Sequence, residues 1–329
     1  MPELDLYWKS ALIAAAAASG VTFALLTLGK QCQQGCRNSV MMVAIAIGFC
    51  AGNWFLELNV AWPPRNGLER FLIWILPLAF IIELGAGWNR LPKRYLWLFR
   101  LALAVATPRI LLHGSVYLSD HSTAWSTSQA ILTLGSCSIL LILTWGISSW
   151  LCSRSGTVII PFSFQMALLC AAFTIMMAGY LKGGAVGITL VAALTATTLT
   201  GWLLAGGHPV ESQFEASSLI GIGAVGLFSL LMIGRFFGEL STGEGLAVLL
   251  APLLCWLTEI GGLQTKNPWL ANIVRSMLVG IALLIVLFIA KRNFDREMGP
   301  LLVIKQQVES VPSQTEERSR AGSNVLITA

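Results

Sequence analysis

The sequence predicts an all-α integral membrane protein, a bundle of about ten transmembrane helices. Only 11% of its 329 residues are charged and 56% are hydrophobic, whereas soluble proteins carry about 25% charged residues. The apolar residues fall in blocks of about 18–24, the length that a helix needs to cross a hydrocarbon core about 30 Å thick. Because these blocks are uniformly apolar and do not alternate as barrel strands do, helices are expected.

Ten candidate spans divide the first 292 residues, and short loops containing Pro, Gly, Asn or charged residues separate them. The spans are residues 10–28, 40–61, 70–88, 95–118, 129–151, 157–180, 185–205, 217–238, 245–263 and 270–291. Residues 293–329 are polar and lack apolar periodicity, which predicts a disordered tail. The expected organisation is a transmembrane domain over 1–292 and a tail over 293–329.

Composition and motifs exclude several functional classes. The net charge of +5 comes from scattered basic residues, so the expected partner is the lipid bilayer and not nucleic acid. Cys32 and Cys36 form a C-x3-C pair with no further ligands nearby, so neither a metal site nor a cofactor is expected. The stretch GIGAVG at 221–226 matches a dinucleotide fingerprint, but it lies within an apolar helix, where glycines permit close helix packing.

Two short stretches share one pattern in the two halves of the chain. GNWFLEL at 52–58 and GRFFGEL at 234–240 have Gly, Phe, Glu and Leu at the same spacing. The second stretch also has Arg235 four residues before Glu239, which predicts that both lie on one face of a helix.

The similarity continues into the two following spans of each half. LPLAFIIELGAG at 76–87 resembles APLLCWLTEIGG at 251–262, and RILLHG at 109–114 resembles RSMLVG at 275–280. Spans 2–4 therefore resemble spans 8–10, and the matched charged residues are Glu57, Glu83 and Arg109 in the first set and Glu239, Glu259 and Arg275 in the second. An offset of six helices predicts a parallel internal repeat, with chance similarity among apolar sequences as the alternative.

Charged residues in apolar spans either reach the interface from a helix end or form a buried site. Those within about two turns of a span's end are Glu57, Glu83, Arg235, Glu239, Glu259 and Arg275. Arg109 lies about 21 Å into span 95–118, too deep to reach the interface easily. We therefore expect Arg109 to form an internal ion pair with Glu57, with His113 one turn further on the same helical face.

Two further features bear on function. Pro77, Pro161 and Pro252 interrupt apolar helices, and such positions often mark kinks. The polar loop at 113–129 contains His, Asp and Ser residues of the kinds found in hydrolytic sites, although no spacing identifies such a site.

The stretches WPPRNGLERF at 62–71 and ATPRILLHGSVYL at 106–118 resemble a group of uncharacterised bacterial polytopic membrane proteins. The resemblance covers residues of about 52–118. It implies a location in the bacterial inner membrane, and it carries over no activity and no functional residues.

The leading hypothesis is a transporter or permease-like protein with a charged intramembrane site. Its candidate residues are Glu57, Glu83, Arg109, His113, Arg235, Glu239, Glu259 and Arg275. The arginines would bind an anionic group of a small-molecule substrate or pair with the carboxylates, and Glu57 and Glu239 could take up protons. The alternatives are a non-transporting partner or assembly subunit with structural ion pairs, and an intramembrane enzyme. The substrate, and whether the chain forms a homo-oligomer or joins another membrane protein, stay open.

Overall fold

The computed structural model describes residues 4–28, 34–58, 60–87, 92–118, 125–155, 159–204, 213–257 and 268–310. Within these ranges the chain is all-α, as the sequence predicts, and contains no strand. The helices are α1 Leu4–Leu28, α2 Gln34–Phe55, α3 Gly67–Arg70, α4 Leu76–Gly87, α5 Lys93–Leu112, α6 Thr127–Ser155, α7 Ile159–Met177, α8 Leu181–Leu204, α9 Gln213–Phe237, α10 Thr242–Leu250 and α11 Pro268–Ser310. A π-helical turn, Phe71–Ile75, joins α3 to α4, and a 3-10 helix, Ala251–Trp256, follows α10.

Eight of the described helices are long and apolar enough to cross a membrane, namely α1, α2, α5, α6, α7, α8, α9 and α11. Their number and composition are those of a multi-pass membrane protein. The other two expected spans, 70–88 and 245–263, correspond to the two interrupted helical segments, so the count of ten stays a prediction.

The segment 67–87 is one helix with an irregular turn just before Pro77. Proline has no N–H, and its ring clashes with the carbonyl four residues earlier, here that of Ile73. The preceding turn widens into a π-helix, in which the Leu76 N–H donates to the carbonyl of Phe71. In the segment 242–256 the backbone tightens instead, from an α-helix over 242–250 to a 3-10 helix over 251–256. Pro252 lies near the start of that 3-10 helix.

Helix α9 forms the centre of the bundle and is the most buried of the eight long helices. It packs against α2, α4, α5, α6, α7, α8 and α10. A Cβ atom at Gly226 would come within 2.8 Å of a Leu190 methyl carbon on α8, and one at Gly223 within 3.1 Å of Phe164 Cβ on α7. The GIGAVG stretch therefore serves close helix packing.

The hairpin between α7 and α8 is closed by a glycine-dependent turn. Gly179 has a φ of +82°, and the Tyr180 N–H donates to the carbonyl of Ile175 at 3.1 Å. This is the hydrogen-bond pattern with which many helices end on a left-handed glycine. Burial raises the pKa of the Tyr180 hydroxyl, and the charge of Glu69 raises it further.

The helix ends and their connecting segments form two groups, one at each end of the bundle, which we call end A and end B. At end A, the Glu239 N–H donates to the carbonyl of Ala178 at 3.1 Å, and Arg70 Nη1 donates to the carbonyl of Leu111 at 3.3 Å. End A comprises segments 56–58, 60–66, 113–118, 178–180 and 238–241. End B comprises the opposite ends of the same helices, where Arg37 Nη2 donates to the carbonyl of Gly201 at 3.4 Å.

The second half of α11 belongs to a separate unit, residues 288–329. Its described part is helical to Ser310, which differs from the disordered tail expected from residue 293 onward. Residues 311–329 lie outside the described residues.

Candidate functional site

A buried ion pair joins α4 to α5. Arg100 donates from Nε to Glu83 Oε1 at 2.9 Å and from Nη2 to Oε2 at 2.7 Å. The Glu83 side chain is 0% exposed and that of Arg100 is 4% exposed. Two parallel charge-assisted hydrogen bonds match the fork of the guanidinium to both carboxylate oxygens. This geometry offsets part of the cost of removing two charges from water, and a looser pair would offset less of it.

The pair lies toward end B. Arg100 follows the first residue of α5 by seven positions, or about 10 Å along the helix axis. Glu83 precedes the last residue of α4 by four positions, or about 6 Å. Because only five residues connect α4 to α5, the two helices run antiparallel and bring these side chains to one level. Glu83 is one of the charged residues that the sequence predicts for the site, whereas Arg100 is not among them.

Aromatic rings flank the guanidinium. The Cζ atom of Arg100 lies 5.3 Å from the ring centroid of Trp97 and 5.5 Å from that of Trp145. Trp145 is buried on α6. A cation over an aromatic face gains electrostatic attraction, which is larger where water is excluded.

Helix α9 completes the surroundings of the carboxylate. The buried side chain of Ser218 lies beside the Glu83 carboxylate. One turn further, Gly221 leaves space for the same side chain, because a Cβ atom there would lie 2.6 Å from Glu83 Cδ. The first glycine of GIGAVG therefore makes room for the ion pair.

A group of buried polar atoms on α6 has no hydrogen-bond partner among the described residues. These atoms are Thr144 Oγ1, Trp145 Nε1, Ser148 Oγ and Ser149 Oγ. They occupy two adjacent turns of α6, and the Trp145 ring is the one that contacts Arg100. Unpaired polar atoms in an apolar interior cost free energy, so this face of α6 suits polar groups that come from outside the chain.

Arg275 is a second fully buried arginine, on α11. It lies near the side chain of Cys255, and Ser163 of α7 is also near that cysteine. Glu259, the carboxylate expected in this region, lies outside the described residues.

The carboxylates of the two opening stretches are at helix ends. Helix α2 ends at Phe55 and α9 ends at Phe237, so Glu57 and Glu239 each follow a helix by two residues. Both are exposed, and Glu57 has a left-handed φ of 49°. The expectation that Arg235 and Glu239 share a helical face is therefore wrong, because the helix has already ended.

The expected depth of Arg109 is also wrong. Helix α5 ends at Leu112, so Arg109 lies in its last turn, at end A, and is exposed. Arg109 forms no ion pair with Glu57 or with any other residue in the described part of the chain. His113 is the exposed residue that follows α5. The helix is shorter than span 95–118, which removes the physical reason for a buried pair.

A sequence signal could have identified Arg100. In the first half of the chain, Pro92 lies nine residues after Glu83 and Arg100 lies 17 residues after it. In the second half, Pro268 lies nine residues after Glu259 and Arg275 lies 16 residues after it. In the structure Pro92 and Pro268 each begin a helix that buries its arginine about two turns later. In spacing and burial Arg275 resembles Arg100 more than Arg109, and both the internal repeat and the matching of its residues stay predictions.

The described residues contain no cluster of His, Cys, Asp and Glu that could hold a metal ion. What the site near end B offers is a cation paired with a carboxylate, two aromatic rings and several free hydroxyls. Comparison with protein-family models, with curated proteins and with solved structures finds no match to this chain.

Proposed function

We propose that the protein is a transporter or permease-like membrane protein whose solute site lies beside the Glu83–Arg100 pair, between α4, α5, α6 and α9. The observation that carries this proposal is the set of unpartnered polar atoms on α6, the helix whose Trp145 ring lies against Arg100. A purely structural ion pair needs only its own hydrogen bonds. Additional unpaired hydroxyls on α6, within four residues of Trp145, favour a site that accepts a polar solute or water.

The chemistry of the pair suggests an anionic solute. An anionic group can take the place of the Glu83 carboxylate as the bidentate partner of Arg100. A proton taken up by Glu83 would neutralise its carboxylate and release the guanidinium for the solute. Binding of the anion would then accompany uptake of one proton, and α6 would supply hydroxyl donors.

The two interrupted helices support the proposal. Short or proline-interrupted apolar segments at corresponding positions of two halves are typical of transporter sites. Here the π-turn precedes Pro77 on the segment that carries Glu83, and the 3-10 helix contains Pro252 and Cys255, near Arg275. Irregular backbone of this kind allows a helix to bend.

The second candidate function is a membrane partner or assembly subunit. The near-complete burial of Glu83 and Arg100 favours it, because a closed bidentate pair can hold two helices in register without binding anything. The two functions differ in whether water and solutes reach the pair from end B.

The test measures that access and needs no known substrate. Ser218→Cys is introduced into a full-length variant without the seven native cysteines, and its reaction with a membrane-impermeant thiosulfonate is followed in membrane vesicles of both orientations. Ser229→Cys is the matched control, because Ser229 is also buried on α9, eleven residues nearer end A.

For a transporter, Ser218→Cys should react at least tenfold faster than Ser229→Cys, and from one side of the membrane. Anionic solutes that bind should slow that reaction. The ion pair would instead be structural if both cysteines react equally slowly with the thiosulfonate and if no anionic solute in a panel changes the rate of reaction.

The membrane is proposed to be the bacterial inner membrane, on the resemblance carried by residues 52–118. Fractionation of bacterial cells that express the full-length chain tests this location, since recovery in the outer-membrane fraction would contradict it.

A further inference from the structure

A cavity of about 370 Å³ lies at end A, between α6, α9 and α10. Its wall is mainly apolar and includes Leu140 of α6, Phe228 and Met232 of α9, and Leu249 of α10. Ligand pockets in proteins start at about this size. The ion pair proposed for solute binding is at end B, so this cavity is a separate feature.

The lining of the cavity follows two of the helices for about two turns each. Its lining on α9 extends from Phe228 to Phe236, and its lining on α6 extends from Thr133 to Leu140. At 1.5 Å per residue these stretches cover about 10–12 Å. A slot of that depth accommodates a stretch of alkyl chain lying parallel to the helices.

Arg235 provides a cation where α9 ends. Its Nε donates to Thr242 Oγ1 at 2.8 Å, which fixes the guanidinium beside the cavity, and the side chain is exposed. No Asp or Glu lines the cavity, and Arg235 forms no ion pair in the described part of the chain. The remaining guanidinium donors are therefore free for an anionic group.

The cavity is continuous with the outer, apolar surface of the bundle. Leu246 of α10 lines it and is exposed, as are Ile139 and Leu143 on α6 beside Leu140. Trp125, which also lines the cavity, packs edge-on against Phe236 with ring centroids 5.6 Å apart. Amphipathic aromatic rings of this kind favour the headgroup level of a bilayer.

We propose that this cavity binds an anionic phospholipid of the surrounding bilayer, with the headgroup phosphate on Arg235 and part of one acyl chain in the cavity. The cation lies at the level of the helix end, where headgroups lie, and the apolar wall extends from it toward the membrane centre. A free anion would bind only to the Arg235 guanidinium, and a neutral lipid would contact only the apolar wall. The guanidinium and the wall together therefore favour a molecule that has both an anionic group and an acyl chain.

The experiment titrates the delipidated full-length protein in detergent with dioleoyl phosphatidylglycerol or dioleoyl phosphatidylcholine and counts bound lipid by native mass spectrometry. Arg235→Gln removes the cation, and Arg109→Gln is its control, since Arg109 is another exposed arginine in the last turn of a helix at end A. Gly245→Leu fills the cavity, because a Cβ atom at Gly245 meets only Leu240 Cδ2, at 3.7 Å. Gly243→Leu is its control, because Gly243 on the same helix lies outside the lining and has open space around it.

The native protein should retain phosphatidylglycerol about fivefold better than phosphatidylcholine, the effect of one arginine near a membrane surface. Arg235→Gln should abolish this preference and Arg109→Gln should keep it. Gly245→Leu should reduce retention of both lipids, and Gly243→Leu should not. The proposal is overturned if Arg235→Gln keeps the preference, if Gly245→Leu binds like the native protein, or if glycerol phosphate competes as well as the long-chain lipid.

Discussion

Residues of four helices accommodate Arg100 and its partner Glu83 in the interior of the bundle. Glu83 of α4 supplies two hydrogen bonds, Trp97 of α5 and Trp145 of α6 supply ring faces, and Gly221 of α9 supplies the space. Because these contacts depend on one another, we expect single changes at the pair to be more harmful than removal of both charges together.

Arg100→Met should lower the free energy of unfolding by about 3–5 kcal/mol, because it leaves the Glu83 carboxylate buried without a cation. The double variant Glu83→Leu/Arg100→Met should recover most of that loss. Unfolding in mixed micelles measures both. Arg109→Met, at an exposed helix end, should change the free energy by no more than about 0.5 kcal/mol, and a similar loss at Arg109 and Arg100 would contradict the assignment.

Gly221→Ala should lower the free energy of unfolding by about 1–3 kcal/mol, because the new methyl group would overlap the Glu83 side chain. The matched change is Gly146→Ala on α6, where nothing lies within 4 Å of the added carbon. That substitution should be neutral or slightly stabilising, since alanine favours helix more than glycine does. Equal effects of the two changes in the same unfolding assay would show that Gly221 does not accommodate the pair.

At the scale of the helix, the chain has two irregular segments that regular hydrophobic periodicity does not reveal. The π-turn before Pro77 and the 3-10 helix at Pro252 change the rise and rotation of their helices without ending them at the proline. Both segments adjoin a region with a buried arginine. We expect these irregular turns to control movement of the segments that follow them.

Pro77→Ala should restore a regular α-helix over 67–87, because it returns the missing N–H and removes the ring clash. The free energy of unfolding should rise by about 1–3 kcal/mol, and reaction of Ser218→Cys with the thiosulfonate should become several-fold slower. Pro161→Ala is the control, since Pro161 lies in the first turn of α7, where its N–H would have no helical partner. A faster reaction at Ser218→Cys in the Pro77→Ala background would contradict this account.

At the scale of the whole molecule, the two ends of the bundle differ in chemistry. The described part of end B has the buried ion pair and the free hydroxyls of α6, whereas the described part of end A has exposed charges and the apolar cavity beside Arg235. Because segment 67–87 starts near end A and carries Glu83 toward end B, we predict that it crosses the membrane even though it is interrupted.

If segment 67–87 crosses the membrane, its two ends, and the other helix ends beside them, lie on opposite sides of the membrane. In the background without native cysteines, Arg65→Cys and Glu239→Cys should react with an impermeant reagent from one side of the membrane, and Arg94→Cys and Arg154→Cys from the other. These four positions are exposed and lie at helix ends or in loops. If Arg65→Cys and Arg94→Cys react from the same side, segment 67–87 does not cross, and the count of ten spans is too high.

The sequence by itself determined that the protein is all-α with several membrane-spanning helices, and that the glycines of GIGAVG allow helices to pack closely. Both depend on local composition: a long apolar block must satisfy its own backbone hydrogen bonds in lipid, and small residues allow close approach wherever they lie on a helix. The same reasoning marked Glu83 and Arg275 as charges in apolar segments.

Only the tertiary structure decided which charges are buried and paired. The apolar run to residue 118 predicts a deep Arg109, whereas the helix ends at Leu112 and leaves Arg109 exposed. Arg100 was missed because its depth depends on where α5 begins and on what α4, α6 and α9 place beside it. A charge in a membrane helix is stabilised by partners on other helices, and those partners are set by packing between segments distant in the sequence.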